Sequence, residues 1–201
     1  AREAGRDEAC IPQLKLLLLA AAEAAAQEAG LDQRSGILAD GTYGQRALNA
    51  ITGKGWWIGR PIELPSSRPL RLEHGNIGSQ LIEWPLEHVV KCLVFYHPDD
   101  PAALRAEQDA LLLEVWQACN KSGHELLLEV ILPENGPDKD ERHYHTMLEH
   151  FYQLGIKPDW WKLPPLSSAS WQQITARIER EDPWSRGILI LGLDAPSDKL
   201  R

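Results

Sequence analysis

Positive charge is in short supply in this chain: 21 lysines and arginines stand against 29 aspartates and glutamates, a formal net charge of −8. The cations are scattered rather than gathered into a stripe, which argues against a nucleic-acid platform. A phosphorylated small molecule is still compatible, since a few local cations suffice for it. Cysteine is scarce as well. Cys10, Cys92 and Cys119 are odd in number and lack C-x-x-C spacing, so they fit a reducing cytoplasm better than a disulfide or zinc framework. A long hydrophobic run is also missing: the longest, Leu16 to Ala26, is interrupted by Glu23 and reads as too short to span a bilayer. No signal-peptide pattern is present. Neither G-x-G-x-x-G nor G-x-x-x-x-G-K-[ST] follows a strand, which leaves nucleotide-binding folds without their phosphate loop. Among the seven histidines, no H-E-x-x-H or comparable ligand pair emerges. His143, His145 and His150 are expected on a solvated helix face, and no metal or cofactor is called for. The chain opens in mid-pattern without an initiator Met, so it is expected to be part of a longer one.

What the sequence does hold is an alternation of helical and strand patterns. Helices are predicted at 11–29, 45–51, 77–86, 101–122, 141–154 and 169–180. Strands are predicted at 35–40, 56–64, 89–96, 125–132, 158–163 and 187–193. Asp100 is expected to cap the fourth helix with Pro101 at its first position. Continuous apolar strands separated by helices imply a parallel sheet. A doubly wound open sheet and a (β/α)8 barrel both fit, and the barrel is favoured because functional-looking residues fall on several strands rather than in one loop. At 201 residues nothing requires two domains. Residues 1–201 are therefore read as one α/β, TIM-barrel-like domain that lacks the first and last strands.

Three of the apolar strands carry a charge where burial should be deepest: Lys91 within His88–Tyr96, Glu129 within Leu126–Leu132, and Lys162 within Pro158–Leu163. An ionised group inside such a run costs several kcal/mol unless it is paired. A desolvated Lys162 between Trp161 and Leu163 would hold a usable fraction of free amine, the nucleophile that forms a Schiff base with a ketone. The plain alternative is an edge lysine reaching water. Lys91 shares a strand face with Val89 and Leu93 and would assist as a second cation, or be salt-bridged to a neighbouring strand. Glu129, on the face of Leu127 and Ile131, would stand between the two lysines and shuttle protons, or serve as a counter-ion. Asp40, with Tyr43 and Gly44, closes an earlier strand at a glycine-lined turn; an Asx turn or helix cap reads equally well there. Trp56-Trp57 and Trp160-Trp161 are candidates to wall a pocket.

The segments Asp40–Leu48, Gly55–Pro61, Val89–Asp100, Gly123–Val130 and Pro158–Pro164 together resemble the domain fused to the C-terminus of many bacterial 5-dehydro-2-deoxygluconokinases of myo-inositol catabolism. That domain in turn is similar to class I tagatose-1,6-bisphosphate aldolase, a (β/α)8 enzyme. The resemblance places the Schiff-base lysine on Lys162, the second lysine on Lys91, the glutamate on Glu129, and an Asp-x-x-Tyr-Gly substrate-binding turn on Asp40, Tyr43 and Gly44. It implies cleavage of 2-deoxy-5-keto-D-gluconate 6-phosphate to dihydroxyacetone phosphate and malonate semialdehyde, without cofactor, in the cytoplasm. It also implies an attached or associated sugar kinase domain, no nucleic-acid or membrane partner, and room for a homo-oligomer. The family's opening Asp-His-Arg strand and closing Gly-Arg phosphate strand have no counterpart here. The alternative is a non-catalytic domain that binds sugar phosphate and regulates a kinase; a metal-dependent aldolase built on the histidines is a third reading.

Overall fold

A computed structural model describes residues 7–31 and 34–192. Six strands, β1 (Gly36–Leu38), β2 (Trp57–Pro61), β3 (His88–Phe95), β4 (Leu126–Ile131), β5 (Trp160–Leu163) and β6 (Gly187–Ile190), pair in parallel and in chain order. Between them run α2 (Gly41–Ile51), α3 (Ile77–Ile82), α4 (Ala102–Ser122), α5 (Arg142–Gln153) and α6 (Ser168–Glu181), with α1 (Ile11–Ala29) preceding β1. A doubly wound sheet reverses its strand order at a switch point. Here the order never reverses, so the sheet is a six-stranded half-barrel rather than a doubly wound one. The predicted final strand reached residue 193, which lies outside the described residues; β6 itself ends at Ile190.

Side-chain alternation sorts the strands into two faces. Val90, Cys92 and Val94 of β3, Leu126, Leu128 and Val130 of β4, and Trp161 and Leu163 of β5 join Leu112, Val115, Met147, Leu148, Phe151 and Ile174 of the helices in one apolar core. A smaller core joins Leu19 and Ala26 of α1 to Leu48 and Ile51 of α2 and Ile58 of β2. The opposite, concave face carries Val89, Lys91, Leu93, Leu127, Glu129, Trp160 and Lys162. Alternation therefore splits each tryptophan pair. Trp161 is fully buried on the helix side, where its indole donates to the Tyr152 hydroxyl at 2.9 Å, while Trp160 looks inward.

Helix ends follow local chemistry. Left-handed Gly30 (φ 64°) and Gly123 (φ 83°) terminate α1 and α4, a conformation that costs other residues a steric clash. At the starts of α2 and α4 the local chemistry differs from the expectation. The stretch 40–44 is not a turn but the first turn of α2, capped by Asp40, whose carboxylate accepts the Tyr43 N–H at 2.6 Å. Asp100 does not cap α4; Pro101 holds that position, and the Asp100 carboxylate instead accepts the His97 N–H at 3.0 Å and pairs with Arg68.

The N-terminal helix corrects another expectation. Glu8–Ala29 is, by length and composition, long and apolar enough to cross a membrane, because the helix continues beyond the apolar run at both ends. In the structure it packs one stripe on α2 and leaves Leu14, Leu17 and Leu18 exposed.

Trp57 lies flat against two glycines of the inner face. A Cβ at Gly59 would meet the Trp57 ring at 2.8 Å, and one at Gly36 would meet the Trp57 carbonyl oxygen at 2.9 Å. Gly59→Ala is thus expected to displace the indole and destabilise the protein by about 1–3 kcal/mol. Urea unfolding monitored by tryptophan fluorescence checks this.

Candidate active site

The register of the sheet decides which concave-face side chains meet. Glu129 lies level with Leu93 on one side and Lys162 on the other, and Lys91 is level with Leu127. Glu129 is therefore directly beside Lys162 and one step diagonal to Lys91. Its Oε1 is 3.0 Å from the Lys162 Nζ and its Oε2 is 2.9 Å from the Lys91 Nζ. Lys91 also pairs with Glu63, just beyond the end of β2. The result is a row of alternating charge, Glu63–Lys91–Glu129–Lys162, with no net charge. Three members are nearly sealed, with side-chain exposures of 9%, 7% and 3%, whereas Lys162 at the end of the row is 21% exposed.

This arrangement settles the ionisation of Lys91. Burial alone would lower its pKa, but the charges and hydrogen bonds of Glu63 and Glu129 outweigh that and hold it above the ordinary lysine value. Lys91 is thus a fixed ammonium, suited to hold an oxyanion and unsuited to attack a carbonyl. Buried acids on the helix side shift in the same direction: desolvation first, then nearby carboxylates, push the Cys119 thiol from 9.0 to about 12, and Tyr152 also rises from 10.0 to about 12. For all three groups, between the unfolded and the raised folded pKa, the folded protein retains a proton that the unfolded chain has lost. Their stabilisation is complete below the unfolded pKa values and fades as pH climbs through the folded ones. Unfolding free energy is expected to fall from about pH 9 upward, with the thiol and the phenol each contributing on the order of 3 kcal/mol. Urea titrations across that range measure it.

Two cavities flank the row. One, of about 790 Å³, is bounded by Trp56, Trp57, Val89, Trp160, Lys162 and Leu189; Trp57 and Trp160 meet edge-to-face at 6.1 Å. The other, of about 560 Å³, is bounded by Asp40, Thr42, Tyr43, Glu63, Glu73 and Lys91. Asp40 and Tyr43 thus share a cavity with Lys91. Asp40 pairs with Lys15; although burial opposes it, this pairing and the Tyr43 N–H hold its carboxyl below the usual value. Gly44 is elsewhere. It is buried beneath α1, where a Cβ would sit 3.3 Å from the Ala39 Cβ and 3.5 Å from the Lys15 Cδ, so its place is explained by helix packing.

Glu63 is not singled out by the sequence: it lies beyond the end of β2 rather than inside an apolar run, and only the structure brings it to Lys91. The histidines also differ from expectation. His150 pairs with Asp109 at 2.9 Å, and His143 lies half-buried beside Asp138 at 3.3 Å. His97, Asp99, Asp138 and His143 converge closely enough to be considered as metal ligands, a grouping invisible to helix spacing because its first two members come from the loop after β3. Both ring nitrogens of His97 are already engaged, however. Nδ1 accepts the Asp99 N–H at 3.0 Å and Nε2 donates to the Asp138 carbonyl at 2.9 Å, so this ring ties two loops together.

A half-barrel α/β sheet with a buried lysine–glutamate row across its inner face defines the class of protein. Residues 1–201 match, over their whole length, the family model described as "Uncharacterized protein conserved in bacteria (DUF2090)", and the chain belongs to that family. No curated protein matches it.

Proposed function

We propose that the protein is a class I aldolase in which Lys162 forms a Schiff base with a phosphorylated keto-sugar acid. On this reading the six strands are part of a (β/α)8 barrel. The observation that carries the proposal is the Lys162–Glu129–Lys91 geometry. Lys162 is the least buried ammonium of the row and has a carboxylate oxygen 3.0 Å away to take its proton. The free amine attacks the ketone carbon, and Glu129 returns the proton to the carbinolamine hydroxyl, which leaves as water. The resulting iminium is cationic, as the lysine was, so Glu129 remains its counter-ion and no uncompensated charge is created. Lys91, held protonated, stabilises developing oxyanion character. The iminium then accepts the electron pair of the breaking carbon–carbon bond.

The substrate suggested by the resemblance is 2-deoxy-5-keto-D-gluconate 6-phosphate, and a sugar kinase domain is the matching partner. Incubation with this compound should release dihydroxyacetone phosphate and malonate semialdehyde in equal amounts. Saturable binding without either product, unchanged by Lys162→Arg, would instead identify a non-catalytic sugar-phosphate-binding domain.

A further inference from the structure

Schiff-base cleavage needs a second base. The hydroxyl on the carbon β to the iminium must lose its proton as the carbon–carbon bond breaks, and Glu129 is poorly placed to accept it. Each of its oxygens already faces an ammonium, Lys162 on one side and Lys91 on the other. Committed to two ammonium partners and only 3% exposed, this carboxylate is placed to relay a proton at the Lys162 nitrogen rather than to meet a third donor lying in the cavity.

Glu63 is arranged differently. One oxygen, Oε1, takes the Lys91 ammonium. The other, Oε2, is buried and has no hydrogen-bond partner among the described residues, although the side chain is only 9% exposed. Buried carboxylate oxygens are rarely left in this condition without cause. Glu63 borders the 560 Å³ cavity beside Lys91, Asp40, Thr42 and Glu73. Of the other carboxylates there, Asp40 is engaged by Lys15 and the Tyr43 N–H, and Glu73 accepts the Thr42 hydroxyl through Oε1; only the Glu63 oxygen is a buried one without a partner among the described residues. The backbone holds Glu63 in place through its bridge to Leu72 and through the Glu73 N–H to the Ile62 carbonyl at 2.7 Å.

We infer that Glu63 is the base that takes the proton of the substrate's β-hydroxyl, and that the hydroxyl-bearing cavity around it receives the substrate's two hydroxylated carbons, α and β to the imine. In the step itself the O–H proton moves to Glu63 Oε2 and the hydroxyl carbon becomes an aldehyde. The electron pair of the broken carbon–carbon bond enters the iminium on Lys162, giving an enamine. The enamine carbon then takes up a proton, and water hydrolyses the imine, regenerating the amine. No oxidant or reductant is involved.

This assignment rests on the Schiff-base reading of Lys162, and the test separates the two. Wild type, Glu63→Gln and Glu63→Ala are each treated with the keto-sugar acid phosphate. Imine formation is read by borohydride trapping on Lys162, and cleavage by aldehyde release. Glu63→Gln is expected to trap substrate on Lys162 as wild type does while losing cleavage by roughly 10²–10⁴-fold. Should Glu63→Gln fail to fold, Glu63→Ala supplies the decision: added formate is expected to restore its cleavage at least about tenfold, since it offers a carboxylate in the vacated space. Cleavage by Glu63→Gln at the wild-type rate, or a folded Glu63→Ala that formate does not rescue, overturns the role of Glu63 alone. Absence of any Lys162 adduct in wild type overturns the Schiff-base reading, and the assignment of Glu63 with it.

Discussion

Lys162→Arg is expected to lower carbon–carbon cleavage by at least roughly 10⁴-fold, the scale of losing a covalent nucleophile, while changing stability by less than about 1 kcal/mol. The two halves of this result come from different properties of the same site. Arginine retains the positive charge and can still pair with Glu129, so the structural contribution of the row survives. It cannot be deprotonated under ordinary conditions, so the nucleophile is lost. The side chain at 162 is partly open to solvent, which leaves room for the larger guanidinium. Steady-state cleavage assays read alongside thermal denaturation separate the two effects. A variant that lost activity only because it unfolded would show both changes together.

The second large effect is on stability. Glu129→Leu is expected to cost about 3–5 kcal/mol, because it removes the carboxylate shared by two ammonium groups and leaves buried positive charge without its partner. The loss is distributed unequally. Lys91 keeps Glu63 and stays nearly sealed, whereas the more exposed Lys162 can turn its ammonium toward the larger cavity. Glu129→Gln, which preserves shape and one acceptor oxygen, is expected to cost less. Urea unfolding of the two variants ranks them. If Glu129→Leu matched wild type, the carboxylate would not be the charge that balances the row.

Much of this arrangement is visible in the sequence because a charge inside an apolar strand has few physical solutions. Lys91, Glu129 and Lys162 each interrupt a run of apolar residues at the parity that faces inward, and strands adjacent in the chain turn out to be adjacent in the sheet. Glu63 carries no such signal because it lies just beyond the end of β2, beside the Leu64-Pro65 loop, where a charged residue ordinarily needs no explanation. The first turn of α2 was hidden by Gly41 and Gly44, which read as turn residues. Their helical conformation depends on Asp40 capping the helix and on the close approach of α1 over Gly44, and the second of these is a tertiary contact. The convergence of His97 with His143 likewise depends on the loop after β3 meeting the loop and first turn of α5, 41 residues apart at the His97–Asp138 bond, and no local spacing encodes it. Asp100 shows a local rule overridden: its cap position was chemically sensible, but Arg68 and the His97 N–H claim the carboxylate.

The most direct measurement on the proposed chemistry is the site of covalent capture. The protein is incubated with 2-deoxy-5-keto-D-gluconate 6-phosphate, reduced with borohydride, digested and mapped by mass spectrometry. A secondary-amine adduct on Lys162, absent when borohydride is omitted and absent in Lys162→Arg, is the expected result. An adduct on Lys91, or no adduct on either lysine while cleavage proceeds, would contradict the assignment of Lys162 as the nucleophile.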